Sequence, residues 1–258
     1  MLRPRITPCL LVHRGGLVKT VRFSDPKYVG DPVNAVRIFN EKEADELIVL
    51  DIDATVEGRE PDFRLIGQLA AECRMPLCYG GGVRSVEHAK RIIGLGVEKV
   101  AISSAIIENP ALATAIARDI GSQSVVVVLD AKKKRWGSGY EVWTHNATRN
   151  TKQELLGVVA RAEEAGAGEI VVNSIDEDGA MKGYDLDLAR KVREATRLPM
   201  TVLGGAGSLA HVEELLRTCG VIGAAAGSLF VFKGVYKAVL INYPPPQQKE
   251  ALLATVLR

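Results

Sequence analysis

Pro76-Leu-Cys-Tyr-Gly-Gly-Gly82 returns 123 residues later as Pro199-Met-Thr-Val-Leu-Gly-Gly205. Glu46-Leu-Ile-Val-Leu-Asp-Ile-Asp53 and Glu169-Ile-Val-Val-Asn-Ser-Ile-Asp176 stand at the same spacing of 123. A third pair, Cys9-Leu-Leu11 and Val128-Leu-Asp130, corresponds at 119, because the loop after Asp130 is longer. The chain therefore carries itself twice. Where the second copy ends a strand in Asp130, the first ends it in Leu11.

The repeated runs belong to a wider pattern. Apolar, β-rich stretches fall at roughly 5–12, 46–51, 76–80, 98–103, 124–130, 169–174, 199–203 and 221–226. Each is continuously apolar rather than alternating, as expected of parallel strands buried on both faces. Helix-like segments separate them. Asp31-Pro32 and Asn109-Pro110 put a capping side chain before a proline at the first helical position, and Ser85 and Ser208 are further N-cap candidates. Eight β-then-α units repeating four plus four predict one (β/α)8 TIM barrel over residues 1–258. Its half-barrels span about 1–120 and 121–243, and a C-terminal helix covers about 247–257, after Tyr243-Pro-Pro-Pro246.

Composition narrows the function classes. The 258 residues are 47% hydrophobic and 25% charged, ordinary for a globular chain, so a normal core forms. A net charge of +2 gives no ground for a nucleic-acid or membrane partner. The sharpest basic cluster, Lys132-Lys-Lys-Arg135, reads equally as a solvated loop or as contact with an anion. Cys9, Cys73, Cys78 and Cys219 lack Cys-x-x-Cys spacing, so free thiols in a reducing cytosol are expected, with no metal and no cofactor. No signal segment or 18-residue apolar span occurs, and the expected location is cytoplasmic.

In such barrels the chemistry sits at the C-terminal strand ends. Gly80-Gly-Gly82 and Gly204-Gly205 each follow a strand and precede a helix, where close backbone approach and free N–H groups suit an oxyanion. Ser103-Ser104 and Gly227-Ser228 end the next strands and add donors. Two cradles on opposite sides of the mouth imply a substrate phosphorylated at both ends, the competing reading being tight turns without a ligand. Asp130 ends the run Val125-Val-Val-Val-Leu129 and is the candidate general acid or base, or a structural carboxylate bonded to loop amides. At the opposite rim Arg5, Glu46, Lys99 and Glu169 start strands one, two, four and six. They are either ordinary surface charges or a closed ring of ion pairs.

Ile6-Thr-Pro-Cys-Leu10, Gly30-Asp-Pro32, Asp45-Glu-Leu47, Leu50-Asp-Ile52, Gly80-Gly-Gly82, Glu108-Asn-Pro110, Gly121-Ser-Gln-Ser-Val125, Asp130-Ala-Lys132, Gly166-Ala-Gly-Glu169, Ser174-Ile-Asp-Glu-Asp-Gly179 and Gly204-Gly-Ala-Gly207 resemble the cyclase subunit of imidazole glycerol-phosphate synthase (HisF) over nearly the whole chain. The resemblance implies a HisH-like glutaminase on the N-terminal face. It also implies ammonia travelling through the barrel and a bis-phosphorylated aminoimidazole-carboxamide ribonucleotide at the mouth. By the same resemblance Arg5, Glu46, Lys99 and Glu169 match an ammonia gate. Gly82, Ser103 and Ser104 match one phosphate site, where an Asn-Thr pair is usual in place of the serines. Asp178, Gly179, Gly205, Gly227 and Ser228 match the other, where Ala180 replaces a usual threonine. Lys19, in the loop after strand one, matches a basic residue near the substrate, and Asp130 matches one catalytic aspartate.

The departure is Leu11, where the family's other catalytic aspartate belongs, with His13-Arg14-Gly-Gly16 beside it also unusual. Leucine neither donates nor accepts a proton. The expectation is a HisF-like synthase subunit with impaired cyclase chemistry, related to paralogues of bacterial surface-polysaccharide pathways. In that reading a third, sugar-amidating protein at the C-terminal face uses the ammonia on an amino sugar (O-antigen biosynthesis). The alternatives are an active cyclase of histidine biosynthesis, with His13 or Asp51 supplying the missing proton transfer, and a non-catalytic scaffold that activates the glutaminase. The related sugar-phosphate isomerase is a fourth, against which the retained gate speaks.

Overall fold

A computed structural model describes residues 3–256. Residues 1–2 and 257–258 lie outside the described residues, and with them residue 257 of the expected C-terminal helix. Eight parallel strands form the wall: β1 Arg5–His13, β2 Leu47–Asp51, β3 Leu77–Gly80, β4 Lys99–Ile102, β5 Val125–Lys133, β6 Glu169–Ser174, β7 Met200–Leu203 and β8 Gly223–Ala226. Each pairs with the next in parallel, and β8 returns to β1 through Arg5↔Gly223, so the sheet closes into a (β/α)8 barrel.

The helices outside are α1 Pro32–Glu41, α2 Phe63–Glu72, α3 Val86–Gly94, α4 Pro110–Ile120, α5 Leu155–Glu164, α6 Leu186–Ala195, α7 Leu209–Cys219 and the terminal α8 Pro246–Val256. Asp31, Ser85 and Ser208 cap their helices by accepting the N–H of Asn34, His88 and His211. Asn109 does not, because its side chain makes no capping bond at the start of α4, and the proline that follows sets that turn.

Two apolar layers follow from strand alternation. Outward residues such as Leu10, Val49, Tyr79, Val127 and Val172 pack against the helices. Inward residues Cys9, Ile48, Cys78, Val126, Val128 and Val171 fill the lumen, with Leu11 and Leu50 packed on top. The lumen is thus lined mainly by aliphatic groups and thiols, with the Thr7 hydroxyl among them. Cys9, Cys73, Cys78 and Cys219 are free, and burial pushes the Cys9 thiol up to about 11.

The sequence repeat reappears in the strand register. Leu47 faces Leu77 and Ile170 faces Met200, the same pairing 123 residues on. Leu11 faces Leu50 across β1 and β2, and Asp130 faces Asn173 across β5 and β6.

Several boundaries differ from expectation. β4 stops at Ile102 because Ser103 turns into a short helix, Ser104–Glu108. β5 runs on to Lys133 because it pairs with an antiparallel arm, Tyr140–Thr144. The basic run expected in a loop therefore begins inside a strand, and Lys132 lies over the Trp143 ring at 4.8 Å. A second unexpected hairpin, Gly16–Val21 with Ser24–Gly30, rises from β1. It holds Lys19 in a strand, not the loop that the sequence suggested. Among the described residues no helix is long and apolar enough to cross a membrane.

Candidate active site

At the N-terminal end of the lumen the four rim charges meet. Arg5 reaches Glu46 at 2.9 Å and Glu169 at 2.6 Å, and Lys99 reaches Glu46 at 2.5 Å and Glu169 at 2.7 Å. Every cation touches both anions, so the ring is closed. Both carboxylates are nearly buried, at 3% and 5% exposure. Burial alone would raise the Glu169 carboxyl, but Arg5 and Lys99 outweigh it and hold it below the usual range. Thr201 completes the ring by donating to Glu169 at 2.7 Å. Sequence reading missed Thr201, although it stands 123 residues after Cys78 in the repeat. The reading of these charges as ordinary surface groups is replaced by this ring.

At the other end the lumen opens into a cavity of about 250 Å³, bordered by Leu11, His13, Lys19, Asp130, Asn173 and both glycine clusters. β3 and β4 lie opposite β7 and β8 in the strand order, so the two clusters flank the mouth from opposite sides. Gly81 (φ 122°) and Gly204 (φ 98°) are equivalent in the repeat. A Cβ on either would stand 2.4 Å from the Asp51 carbonyl or 2.7 Å from that of Ser174, so only glycine lets the chain pass these strand ends. Gly82, Ser103 and Ser104 border the cavity on one side, and Gly205, Gly227 and Ser228 on the other. Ser103 makes no capping bond with its side chain.

Other expected phosphate ligands are engaged with the protein itself. Asp178 accepts the Thr20 hydroxyl at 2.7 Å and the Phe23 N–H at 3.1 Å. It latches the hairpin down beside the mouth. Gly179 sits against the Thr20 carbonyl, where a Cβ would stand at 2.2 Å. Lys19 is buried and donates to the Cys9 carbonyl at 3.2 Å. A Cβ on Gly227 would meet the Lys19 Nζ at 1.8 Å, so this glycine makes room for the lysine. Burial lowers the Lys19 ammonium from its ordinary value.

Asp130 accepts from the Asn173 amide at 3.0 Å. Burial in the wall of the cavity pushes its carboxyl up to about 7, against the Asn173 bond and with help from the Asp178 charge. An acid titrating there can both give and take protons near neutral pH. Because the folded-state value lies above that of an unfolded aspartate, about 3.9, Asp130 favours the fold at low pH, and this contribution is lost as pH rises through about 7. Asp130→Asn, which mimics the protonated acid at every pH, should melt with the parent at pH 4 and above it at pH 8. Equal offsets at both pH values in thermal melts would refute the shift.

Across the mouth the repeat is broken as a pair. Leu11 and Leu50 occupy the places of Asp130 and Asn173, and both are apolar. Sequence reading found Leu11 but missed Asn173, which the same offset of 123 from Leu50 marks. On the strand face that carries Leu11, His13 Nδ1 lies 2.7 Å from Asp53 Oδ1. Asp51 accepts the N–H groups of Asp53 and Ala54, both at 3.0 Å, so it is committed to its own loop. Among the described residues no group of three or more His, Cys, Asp and Glu side chains is placed to hold a metal ion.

Comparison with known proteins agrees with this geometry. The family described as "Histidine biosynthesis protein" matches residues 5–237. A Leptospira borgpetersenii protein provisionally named imidazole glycerol phosphate synthase subunit HisF is 57% identical over 98% of this chain and 99% of its own length. A Pseudomonas aeruginosa protein, provisionally named as a numbered HisF subunit of the same synthase, is 53% identical over 95% of this chain and 97% of its own. Imidazole glycerol phosphate synthase subunit HisF of Lactococcus lactis subsp. cremoris is 41% identical over 89% of each chain.

Proposed function

Since the chain belongs to the histidine-biosynthesis protein family, as a HisF-like synthase subunit, we propose that it serves a glutamine amidotransferase as ammonia acceptor and conduit, with its own cyclase chemistry impaired. The observation that carries this reading is the Leu11–Leu50 pair standing where the other half of the mouth holds Asp130 and Asn173. A HisH-like glutaminase docks on the N-terminal face and releases ammonia at the ring of Arg5, Glu46, Lys99 and Glu169. The neutral molecule then crosses the apolar lumen. Thr7 Oγ1 and Asn173 Oδ1 are buried and find no hydrogen-bond partner among the described residues, one on the β1 wall of the lumen and one at the mouth. Unmade bonds of this kind cost about 1–3 kcal/mol each, and a passing ammonia would satisfy them.

At the C-terminal face a third protein takes the ammonia to amidate an amino sugar in surface-polysaccharide biosynthesis. By identity the chain stands nearer the provisionally named relatives, at 57% and 53%, than the Lactococcus subunit, at 41%. The second reading is a working cyclase of histidine biosynthesis. The names of the relatives favour it, since all three are named as imidazole glycerol phosphate synthase subunits, two of them provisionally. Asp130 and the His13–Asp53 pair at the mouth are the groups it would use.

The conduit is tested with the glutaminase bound. Glu46→Ala opens the ring, so glutamine hydrolysis should continue while ammonia transfer to the acceptor falls at least about tenfold, a loss of roughly 1.4 kcal/mol in coupling. Undiminished transfer per glutamine hydrolysed would remove the ring from the route.

A further inference from the structure

We infer that His13 and Asp53 form an acid–base dyad at the mouth, with His13 Nε2 exchanging protons with the molecule that fills the cavity. The inference rests on the reading of this barrel as an ammonia-receiving synthase subunit lacking a carboxylate on β1. His13 lies two residues beyond Leu11 on the same strand, hence on the same face and about 7 Å nearer the opening. It borders the cavity. Its Nδ1 is 2.7 Å from Asp53 Oδ1, and Asp53 is 7% exposed. The other carboxylate oxygen accepts the Arg14 N–H at 2.7 Å, while the Asp53 N–H donates to Asp51 at 3.0 Å. Both oxygens of Asp53 are thus occupied, and its position is fixed from behind.

A carboxylate on Nδ1 places the proton there and leaves the lone pair on Nε2, the arrangement of a general base. Arg14 holds φ 49°, an uncommon left-handed conformation for a residue with a side chain, and in it the Arg14 N–H reaches Asp53. β1 and β5 are opposite in the strand order, so imidazole and Asp130 face the cavity from two sides. When ammonia adds to a carbon centre, its nitrogen sheds a proton and a leaving group takes one up. His13 accepts the first at Nε2 and returns it, so the dyad ends as it began. Sequence alone offers His13 as one source of the missing proton transfer but not its pairing with Asp53, which comes from a different strand end.

The test uses the full chain with the bis-phosphorylated ribonucleotide and saturating ammonium. His13→Ala should lower the slow parental turnover by about 10²-fold, and added imidazole should restore part of it. Asp53→Asn, a positioning change, should lower kcat and leave KM little altered. In a Leu11→Asp background the same His13→Ala change should cost less than about tenfold, since the carboxylate takes over the proton transfer. Calorimetric binding of the ribonucleotide should survive in every variant. The dyad is overturned if the parent shows no turnover, if His13→Ala matches the parent, if imidazole gives no rescue, or if His13→Ala abolishes binding. Parental turnover equal to that of Leu11→Asp would instead sink the impaired-cyclase reading. A His13→Ala loss relieved by imidazole would then still uphold the dyad.

Discussion

Leu11→Asp should raise turnover of the bis-phosphorylated ribonucleotide with ammonium by about 10²-fold or more, the usual contribution of one placed acid or base. The new carboxylate would project from β1 into the same cavity as Asp130. The gain comes with a structural cost. Asp130 has Asn173 as hydrogen-bond partner, whereas residue 11 faces Leu50, which offers none. Residue 11 also packs on the apolar lining made by Cys9, Ile48 and Val128. A carboxylate there is desolvated without compensation, so the variant should be less stable than the parent at neutral pH and recover as the acid is protonated. A second substitution, Leu50→Asn, should relieve part of that cost by rebuilding the pair found across the mouth. Turnover and melting temperature of the single and double variants check both halves of this expectation.

The second large effect lies at the other end of the lumen. Lys99→Met keeps the aliphatic stem and removes the charge that bridges Glu46 at 2.5 Å and Glu169 at 2.7 Å. Two nearly buried carboxylates are then left with Arg5 as the ring's remaining cation. Breaking a buried ion pair from one side costs about 3–5 kcal/mol. Arg5 still reaches both, which favours the lower end, and a loss of about 3 kcal/mol in a chain of this size lowers Tm by roughly 6–12 °C. The sign with pH follows from Glu169, whose carboxyl the two cations hold below the usual range. Its contribution is present above the unfolded value, about 4.3, and is lost as pH falls through the folded value. The deficit of Lys99→Met should therefore be full at pH 7 and shrink below about pH 4. Thermal melts across that range decide it, and a deficit independent of pH would show that packing of the stem, not the charge, matters.

Much of this was legible in the sequence because a repeat reports tertiary position. The offset of 123 that aligns Pro76–Gly82 with Pro199–Gly205 is the offset at which Leu47↔Leu77 and Ile170↔Met200 pair in the barrel. Strand ends, helix caps at Asp31, Ser85 and Ser208, and the four rim charges follow from local chemistry and spacing. What escaped depends on contacts between distant segments. The hairpin Gly16–Val21 with Ser24–Gly30 is mostly polar on its second arm and shows no apolar run. It is held by Asp178, 158 residues from Thr20. Lys19 therefore came out as a loop residue though it is buried in a strand. Gly179 and Gly227 read as phosphate ligands from sequence, which gave no sign that a Cβ on them would meet the Thr20 carbonyl at 2.2 Å or the Lys19 Nζ at 1.8 Å. His13 and Asp53 could be seen only as separate residues, because their 40-residue separation carries no periodic signal.

Whether this barrel cyclises poorly is decided most directly by the parental turnover. The purified chain would be given the bis-phosphorylated ribonucleotide and excess ammonium at basic pH, with binding followed by calorimetry beside the loss of substrate. Free ammonium bypasses any glutaminase, so only the chemistry of the mouth is read. The ribonucleotide should bind while turnover stays at least about 10²-fold below that of Leu11→Asp. Parental turnover as fast as that variant's would contradict it and identify a histidine-pathway cyclase that manages without a carboxylate at residue 11.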